Sequence, residues 1–365
     1  MSRAGAVRTG VARARITRAR AVLCALVLLA LMAGCTEVPP ARSTPVGSTQ
    51  QPRAPYVALA DAVVAHGAQV WVEVDLVKAW QAGPARYREV LDVVANFAAR
   101  PGVVGVKIAD ELGYNDGTDG SSALAFLKET TAELHRRVPG RKVLIDVVVP
   151  EFGCLAWQGD PSVGQAASRA WAAVAPAART EMQACAKGEA DKNPGSTLAR
   201  VDSYVQQGGI DVLDLSAGLR SDAQYPTWGT TRDDAMTAIW DEASRRWGGH
   251  VTLNARKALA HPGAYDQPAA TADRDVHTFV DIPLAHGASA VDIWTWSQNY
   301  QGGTYLLTNP GLADNALVAA LRARRAKGAV LWTHMTPSSL QRGVAQDVAA
   351  ATAIFGAILV TAGTG

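Results

Sequence analysis

The chain has 365 residues, of which 48% are hydrophobic and 19% are charged. This balance excludes a disordered chain and is enough for one large domain or two modest ones. The formal net charge of +2 depends on six arginines within the first twenty residues. The rest carries 29 basic and 33 acidic side chains. The chain beyond residue 20 is therefore mildly acidic, whereas a nucleic-acid-binding protein is usually basic, so no nucleic acid partner is expected.

The first 34 residues predict export. A basic stretch precedes an uncharged apolar run over 21–34 that ends in Met32-Ala33-Gly34-Cys35. The run is too short for a comfortable transmembrane helix and has the order of a secretory signal. Its Ala-Gly-Cys ending resembles the lipobox of bacterial lipoproteins, with Met32 where leucine is usual. The resemblance implies a signal peptide over 1–34, lipid on Cys35 and an extracytoplasmic protein anchored to the cell membrane. Plain cleavage nearby or an uncleaved anchor are the alternatives.

Residues 35–55 are rich in proline, serine, threonine and glutamine, and they predict a flexible linker between the membrane and the domain. Beyond them, Cys154 and Cys185 form an even pair in an oxidising compartment, so we expect a disulfide between them. Two buried thiols are the alternative. Neither cysteine has histidine or cysteine neighbours at metal-ligand spacing, and no metal or cofactor is expected.

The body, residues 56–365, alternates short β-rich runs with amphipathic helical patterns, which predicts a parallel α/β sheet. The strand starts lie 33 to 40 residues apart, apart from one interval of 67. We expect an eighth strand in that interval or before Val70. About eight such units predict a single-domain (β/α)8 barrel, the TIM-like fold. A doubly wound open sheet is the alternative, but the glycine-rich phosphate loop typical of that fold is missing. The predicted strands are Val70–Val74, Val103–Ile108, Val143–Val149, Ile210–Leu215, His250–Asn254, Ala290–Trp294 and Ala329–Trp332.

Helical patterns lie between these strands, and one more follows the last predicted strand. The last segment, Val348–Ala362, is almost wholly apolar, and at fifteen residues it predicts a closing barrel helix, not a membrane tail. The other predicted helices include Arg86–Ala99, Ser122–Val138, Arg232–Arg246, Arg274–Ala285 and Leu312–Ala326.

Alternation along each strand predicts which side chains enter the barrel. The apolar phase packs outward on the helices, and the other phase fills the interior and, at the C-terminal strand ends, the mouth. Polar residues fall on the inner phase near those ends, where barrel enzymes hold their chemistry. Acids outnumber bases there, which disfavours anionic substrates. The inward acids are Glu73, Asp75, Glu111, Asp146, Asp214 and Asp292, against Lys107 and Arg256. A structural network, Lys107 with Glu73 or Asp146 and Arg256 with Asp214, is the alternative.

Tryptophans indicate a substrate class. Ten are present, and a flat aromatic face near the barrel mouth would stack on the apolar face of a sugar ring. For each one alone, core packing is the alternative. Those in predicted loops or at strand ends are Trp80, Trp157, Trp228, Trp294 and Trp296.

Two stretches resemble retaining (β/α)8 glycoside hydrolases of clan A. Ala99–Leu112, with its Pro-Gly, its Val-x-Gly strand and its Asp-Glu ending, is similar to their acid/base strand. Gly287–Trp296 is similar to their final barrel strand. The resemblance implies a carbohydrate substrate and Glu111 as proton donor. Asp110 stands where the family has asparagine, Glu111 follows an early strand, and no later strand ends in glutamate. Asp214 or Asp146 would then be the partner carboxylate, in a retaining or an inverting mechanism.

We expect the remaining mouth residues to bind substrate: Asp75, Asp110, Asn254, Arg256, Asp292, Trp294, Trp296 and His334. Two other functions stay open. A Schiff-base lyase would use Lys107, and a non-catalytic glycan-binding lipoprotein would need only the tryptophans. A divalent-metal hydrolase is disfavoured because paired histidine motifs are missing. The sequence leaves the oligomeric state open.

Overall fold

The structure is a computed structural model that describes residues 51–114, 118–263 and 265–363. The predicted signal peptide, Cys35 and nearly all of the predicted linker lie outside the described residues, so lipidation and the N-terminal domain boundaries stay predictions. Of the part that is described, α-helix already begins at Ala54, just inside the predicted linker. No helix in these described ranges is both long enough and apolar enough to cross a membrane.

Eight parallel strands close into a barrel in the order β1, β2, β3, β4, β5, β7, β9 and β10. Each of these strands pairs with the next one in this order, and β10 pairs with β1, which leaves no open edge. The predicted (β/α)8 fold is confirmed. Two short antiparallel strands, β6 and β8, stand beside the extended end of β7. The strands are β1 Gln69–Glu73, β2 Val103–Ala109, β3 Lys142–Val148, β4 Val212–Ser216, β5 Thr252–Ala258, β6 His261–Pro262, β7 Ala290–Tyr300, β8 Gly303–Leu306, β9 Leu331–Met335 and β10 Ala357–Thr361.

Helices cover the outside of the barrel. Several begin at a proline, whose missing N–H costs nothing at that position, as at Pro84 and Pro176. The helices are α1 Ala54–Ala65, α2 Leu76–Gln81, α3 Pro84–Ala98, α4 Gly120–Arg137, α5 Pro150–Cys154, α6 Gln165–Ala173, α7 Pro176–Lys192, α8 Leu198–Gln207, α9 Gln224–Thr227, α10 Arg232–Trp247, α11 Ala269–Val276, α12 Ile282–Ala285, α13 Ala316–Ala326 and α14 Val344–Thr352. Short 3₁₀ turns occupy Ala156–Gly159, Pro310–Leu312 and Pro337–Ser339, and a π-helical turn occupies His277–Asp281.

The eighth barrel strand lies at neither of the predicted places. It is β10, inside the segment predicted as a closing helix. Only the first part of that segment is helical, as α14. The run Ala357-Ile-Leu-Val-Thr is apolar in both phases because one face packs in the barrel interior and the other against helices. Such a run has neither strand nor helix periodicity, so length alone misled the prediction.

Other boundaries differ in ways that matter for the site. β5 continues to Ala258 instead of ending at Asn254, and β7 continues to Tyr300 as one arm of a hairpin with β8. The predicted helix Arg274–Ala285 is α11, the π-helical turn and α12 in succession. The predicted helix Leu312–Ala326 begins later, at Ala316, after Asn315 caps it through a bond from the Val318 N–H.

The interval of 67 residues holds a helical insertion between β3 and β4. Its helices α5 and α7 are joined by the predicted disulfide between Cys154 and Cys185, with an S–S distance of 1.97 Å. The pairing prediction is therefore confirmed. The bond closes a segment of 31 residues and restricts the insertion in the unfolded chain.

The barrel interior is layered. Its N-terminal end is filled by apolar side chains from the inward phase: Trp71, Leu144, Val212, Ala357 and Leu359. Gly105 of β2 makes room for Trp71, since a Cβ on that glycine would lie 2.2 Å from the indole. Charged residues occupy the layer above, where Asp146 of β3 pairs in register with Asp214 of β4 and Asp214 with Asn254 of β5. The predicted strand phases are correct for these residues.

Candidate active site at the barrel mouth

Lys107 lies at the centre of the charged layer. Its side chain is 0% exposed, and its Nζ is 3.0 Å from Glu73, 2.9 Å from Asp110 and 3.3 Å from Asp146. Burial alone would lower the pKa of this ammonium group, but the three carboxylates outweigh burial and raise it well above its ordinary value. Lys107 is therefore a permanent cation that holds three acids together.

Arg256 extends this network towards the mouth. Its guanidinium lies 2.8 Å from Asp146, 3.0 Å from Asp110 and 3.4 Å from Glu111. The predicted salt-bridge network exists, but the prediction that Arg256 pairs with Asp214 is wrong. Asp110 bridges both cations, and its pKa is held far below the usual range even though burial opposes this. Because Asp110 is still 54% exposed, its carboxylate forms the upper surface of the network.

A second chain of charges crosses the barrel through His334. Its Nδ1 lies 3.0 Å from Glu73 and its Nε2 lies 2.8 Å from Asp292. Burial would lower the pKa of the imidazole, but the two carboxylates raise it to about 9. In return the cation lowers the pKa of Glu73 to about 2, against the effect of burial. His334 is inside β9, not after it, and is 2% exposed, so the structure places it and Asp292 below the mouth surface.

The most deeply buried polar residues of the charged layer are closed to substrate. Asp146, Asp214 and Asn254 are each 0% exposed. Burial raises the pKa of Asp146 to about 8, only partly offset by Arg256 and Lys107, whose contacts are close but are not aligned as hydrogen bonds. Burial and the neighbouring carboxylates of Asp292 and Asp146 raise the pKa of Asp214 well above its ordinary value. Asp214 therefore binds its proton more tightly than an exposed carboxyl group does.

The predicted aromatic residues divide into two groups. Trp294 is partly exposed and packs with Tyr300 and Tyr305 of the hairpin, at centroid distances of 5.6 and 5.2 Å. Trp296 is fully buried and its Nε1 donates to Asp347 of α14. The prediction that Trp296 faces the mouth is wrong, because the register of β7 against β9 shifts between Ile293 and Ser297. Trp157 and Trp228 are also buried, as core packing.

Asp75 and Glu111 lie at the rim. Asp75 precedes α2 and pairs with Lys78 at 3.2 Å. Glu111 lies beyond the end of β2 with a φ of 51°, a left-handed conformation that is uncommon outside glycine. This turn points the chain away from the strand axis and brings Glu111 to a cavity at the ends of β3, β4 and β5.

This rim cavity, of about 280 Å³, is lined by the polar residues Glu111, Tyr114, Ser216, Arg256 and Lys257. Its apolar wall includes Met236, Trp240 and Phe279. Only Glu111 and Arg256 of this polar set were predicted as site residues. The volume of the cavity suits a metabolite of a few carbon atoms.

Lys257 differs from Lys107 in every respect that governs reactivity. Its Nζ lies 4.3 Å from the centre of the Phe279 ring, and no carboxylate of the described residues lies within 4 Å of it. Burial lowers its pKa, and the repulsion of Arg232 adds to this while Asp275 opposes it. A lysine with this environment supplies a neutral amine more readily than an exposed one.

Sequence reasoning missed Lys257 because it belongs to the outward phase of β5, with Leu253 and Ala255. A signal was present: outward positions of this barrel are apolar, and a lysine among them at a strand end is an exception. Tyr114 was missed because it follows Glu111 in a loop, where alternation gives no direction.

Comparison with known proteins gives little beyond the fold. No family model matches the chain, and no curated protein matches it. Among solved structures, it is similar to the carboxyl transferase domain of Rhizobium etli pyruvate carboxylase, with 9% identity and a TM-score of 0.42. That match covers 84% of this chain and 42% of the other, so this chain spans less than half of that structure.

Two further structures are similar over most of their own length. A putative phosphonomutase from Burkholderia cenocepacia J2315 has 13% identity and a TM-score of 0.39, with 84% of this chain and 92% of that chain covered. The structure titled "QR15, an Aldolase" has 10% identity and a TM-score of 0.37, with 82% and 91% covered. All three are barrel enzymes, and at these scores the likeness carries no argument about chemistry.

The glycoside hydrolase prediction is wrong. The carboxylates lack the required arrangement. Glycosidases need two carboxyl groups facing each other across a sugar, but Glu111 and Asp146 bind the same guanidinium, and Asp146 and Asp214 are sealed from the cavity.

Proposed function

We propose that this chain is a lyase that acts on a small carbonyl compound through a Schiff base on Lys257, in the rim cavity. The observation that carries the proposal is a partly buried lysine without a carboxylate partner, in one cavity with an acid, a phenol and a guanidinium. The sequence left open, as an alternative, a lyase that uses Lys107, but that amine is closed to substrate and fixed as a cation. The structure therefore supports a different lysine.

The chemistry follows from the groups in the cavity. The lone pair of the Lys257 Nζ attacks the carbonyl carbon, the carbonyl oxygen takes up protons and leaves as water, and an iminium ion forms. When the substrate carries a hydroxyl group on the β-carbon, a base removes the hydroxyl proton. The bond between the α- and β-carbons then breaks, an aldehyde leaves, and the electron pair moves to the iminium as an enamine. Protonation of the α-carbon and addition of water release the second carbonyl product.

Glu111 and Tyr114 are the residues placed for the proton transfers. Glu111 lines the cavity as a carboxylate beside Arg256 and is assigned as the base. Tyr114 supplies a phenol that donates a proton. Ser216 offers a hydroxyl group for orientation of the substrate.

Trapping by borohydride tests the proposal. The protein is incubated with dihydroxyacetone and sodium borohydride, and the secondary amine formed at each lysine is located by peptide mass spectrometry. We expect Lys257 to be modified at least tenfold faster than the lysines 128, 142 and 327, because a lower amine pKa leaves more neutral amine. These other lysines are internal controls in the same sample.

Lys257→Arg is the matched variant, since arginine keeps a cation beside Phe279 but forms no stable Schiff base. It should lose the fast modification and keep the folded circular dichroism spectrum. Modification of Lys257 at the rate of the control lysines, in a folded protein, would overturn the proposal.

A further inference from the structure

Building on the proposed lyase function, we infer that the carbonyl substrate is an uncharged polyhydroxy aldehyde or ketone, and that the site rejects the phosphorylated form of the same compound. The inference depends on how the cations at the mouth are partnered. Enzymes that bind phosphate esters present unpaired guanidinium or ammonium groups, or a free helix N-terminus, to the phosphate. Two cations line the rim cavity: Arg256, which is already engaged by carboxylates, and Lys257, the amine that would bond to the carbonyl carbon.

The cations of the network already have acidic partners. Lys107 and Arg256 each contact three acidic side chains, one of which, Asp146, is shared and has a raised pKa, and His334 contacts two. The cavity itself is lined by two cations, Arg256 and Lys257. Lys257 stays positively charged as the iminium ion, but its nitrogen is then bonded to the carbonyl carbon and is not available to a phosphate group. A phosphate would need to displace Asp110 or Glu111 from Arg256 before it gained an ion pair.

Carboxylates form the solvent-facing part of the network. Glu73, Asp110, Glu111 and Asp292 share the network with the three cations, and Asp75 at the rim is paired with Lys78. Asp110 is the most exposed member of the network, at 54%, so a ligand that reaches this part of the mouth meets a carboxylate. A doubly charged phosphate is repelled by this surface, whereas hydroxyl groups can donate to its carboxylates.

The polar lining of the cavity fits hydroxyl groups. Ser216, Tyr114 and Glu111 line one space of about 280 Å³. Its volume suits a short-chain sugar in the open form. The apolar wall from Met236 to Phe279 faces the carbon chain, which removes the need for a second charged anchor.

Paired substrates test this inference with the trapping assay. Dihydroxyacetone is compared with dihydroxyacetone phosphate, and glyceraldehyde with glyceraldehyde 3-phosphate, at equal concentration. The rate at Lys257 is divided by the rate at the lysines 128, 142 and 327, which corrects for the intrinsic reactivity of each carbonyl compound. We expect this ratio to be at least tenfold higher for the uncharged member of each pair, and the difference to shrink in high salt.

Asp110→Asn gives a second, gain-of-function test. Removal of this charge frees one side of Arg256 and of Lys107, so modification of Lys257 by the phosphorylated compounds should rise by roughly tenfold. Asp61→Asn is the matched control, because Asp61 of α1 pairs with Arg100 in the turn after α3, and this variant should leave all rates unchanged.

The outcomes separate the two proposals. Equal or faster modification of Lys257 by the phosphorylated compounds would overturn this inference and leave the lyase proposal standing. If no compound modifies Lys257 faster than the control lysines, the lyase proposal falls and the substrate assignment falls with it.

Discussion

Two lysines in this barrel show how position on a strand decides what an amine can do. Lys107 enters the barrel interior and is held by Glu73, Asp110 and Asp146. Lys257 points outward near the end of β5 and packs on Phe279. Carboxylates raise the pKa of Lys107, which has a structural role in the charged layer. Burial lowers the pKa of Lys257, which lines the rim cavity. The comparison shows that burial lowers the pKa of a lysine where carboxylates are distant, and that close carboxylates reverse this effect.

The largest expected effect is the loss of Lys107. Lys107→Met removes the cation shared by the buried acids and leaves Glu73 with His334 alone and Asp146 with Arg256 alone, which costs about 3–5 kcal/mol of unfolding free energy. Urea unfolding followed by circular dichroism measures this. Lys187→Met is the control, because that lysine is 75% exposed in a pair with Asp191 and should change stability by under about 0.5 kcal/mol. A small effect at Lys107 would remove the structural role assigned to it.

A pH titration of stability should report on the second charge chain. The pKa of His334 is raised from 6.5 to about 9, so its contribution is full below about pH 6.5 and is lost as the pH rises through 9. The raised pKa of Asp146 acts in the same direction. We expect the unfolding free energy to fall by on the order of 3 kcal/mol over this window.

In His334→Gln, the unfolding free energy should decrease much less over this pH window. The control variant is His135→Gln, in the exposed pair of His135 and Asp211, and it should show the same decrease as the wild type. A stability curve of unchanged slope in His334→Gln would contradict the assignment of the pH dependence to this imidazole.

The smallest expected change in stability is at Lys257. Lys257→Met keeps the length and apolar contact of the side chain against Phe279, so the unfolding free energy should change by under about 1 kcal/mol. The same variant should lose the borohydride-trapped adduct. A stability loss as large as that of Lys107→Met would erase the difference between the two lysines on which the proposed function depends.

The sequence predicted much of the frame and less of the site. Alternation of short strands and helices predicted the barrel, and strand phase correctly placed Glu73, Lys107 and Asp146 inside it. The eighth strand was missed because a strand buried on both faces shows no period. The pairing of Arg256 was also missed. Strand phase tells which side chains point inward, but the loop turn at Glu111 and the reach of a guanidinium depend on three-dimensional distances.

The barrel closes between β1, near residue 70, and β10, near residue 360, so the first and last strands are hydrogen-bonded neighbours. A nascent chain therefore emerges from the ribosome with β1 unpaired on one side until almost the whole sequence has been synthesised. Contacts of such long range make folding slow and leave sheet edges open to other chains meanwhile. A chain that stops before residue 357 would lack β10 and leave the ring open between β1 and β9.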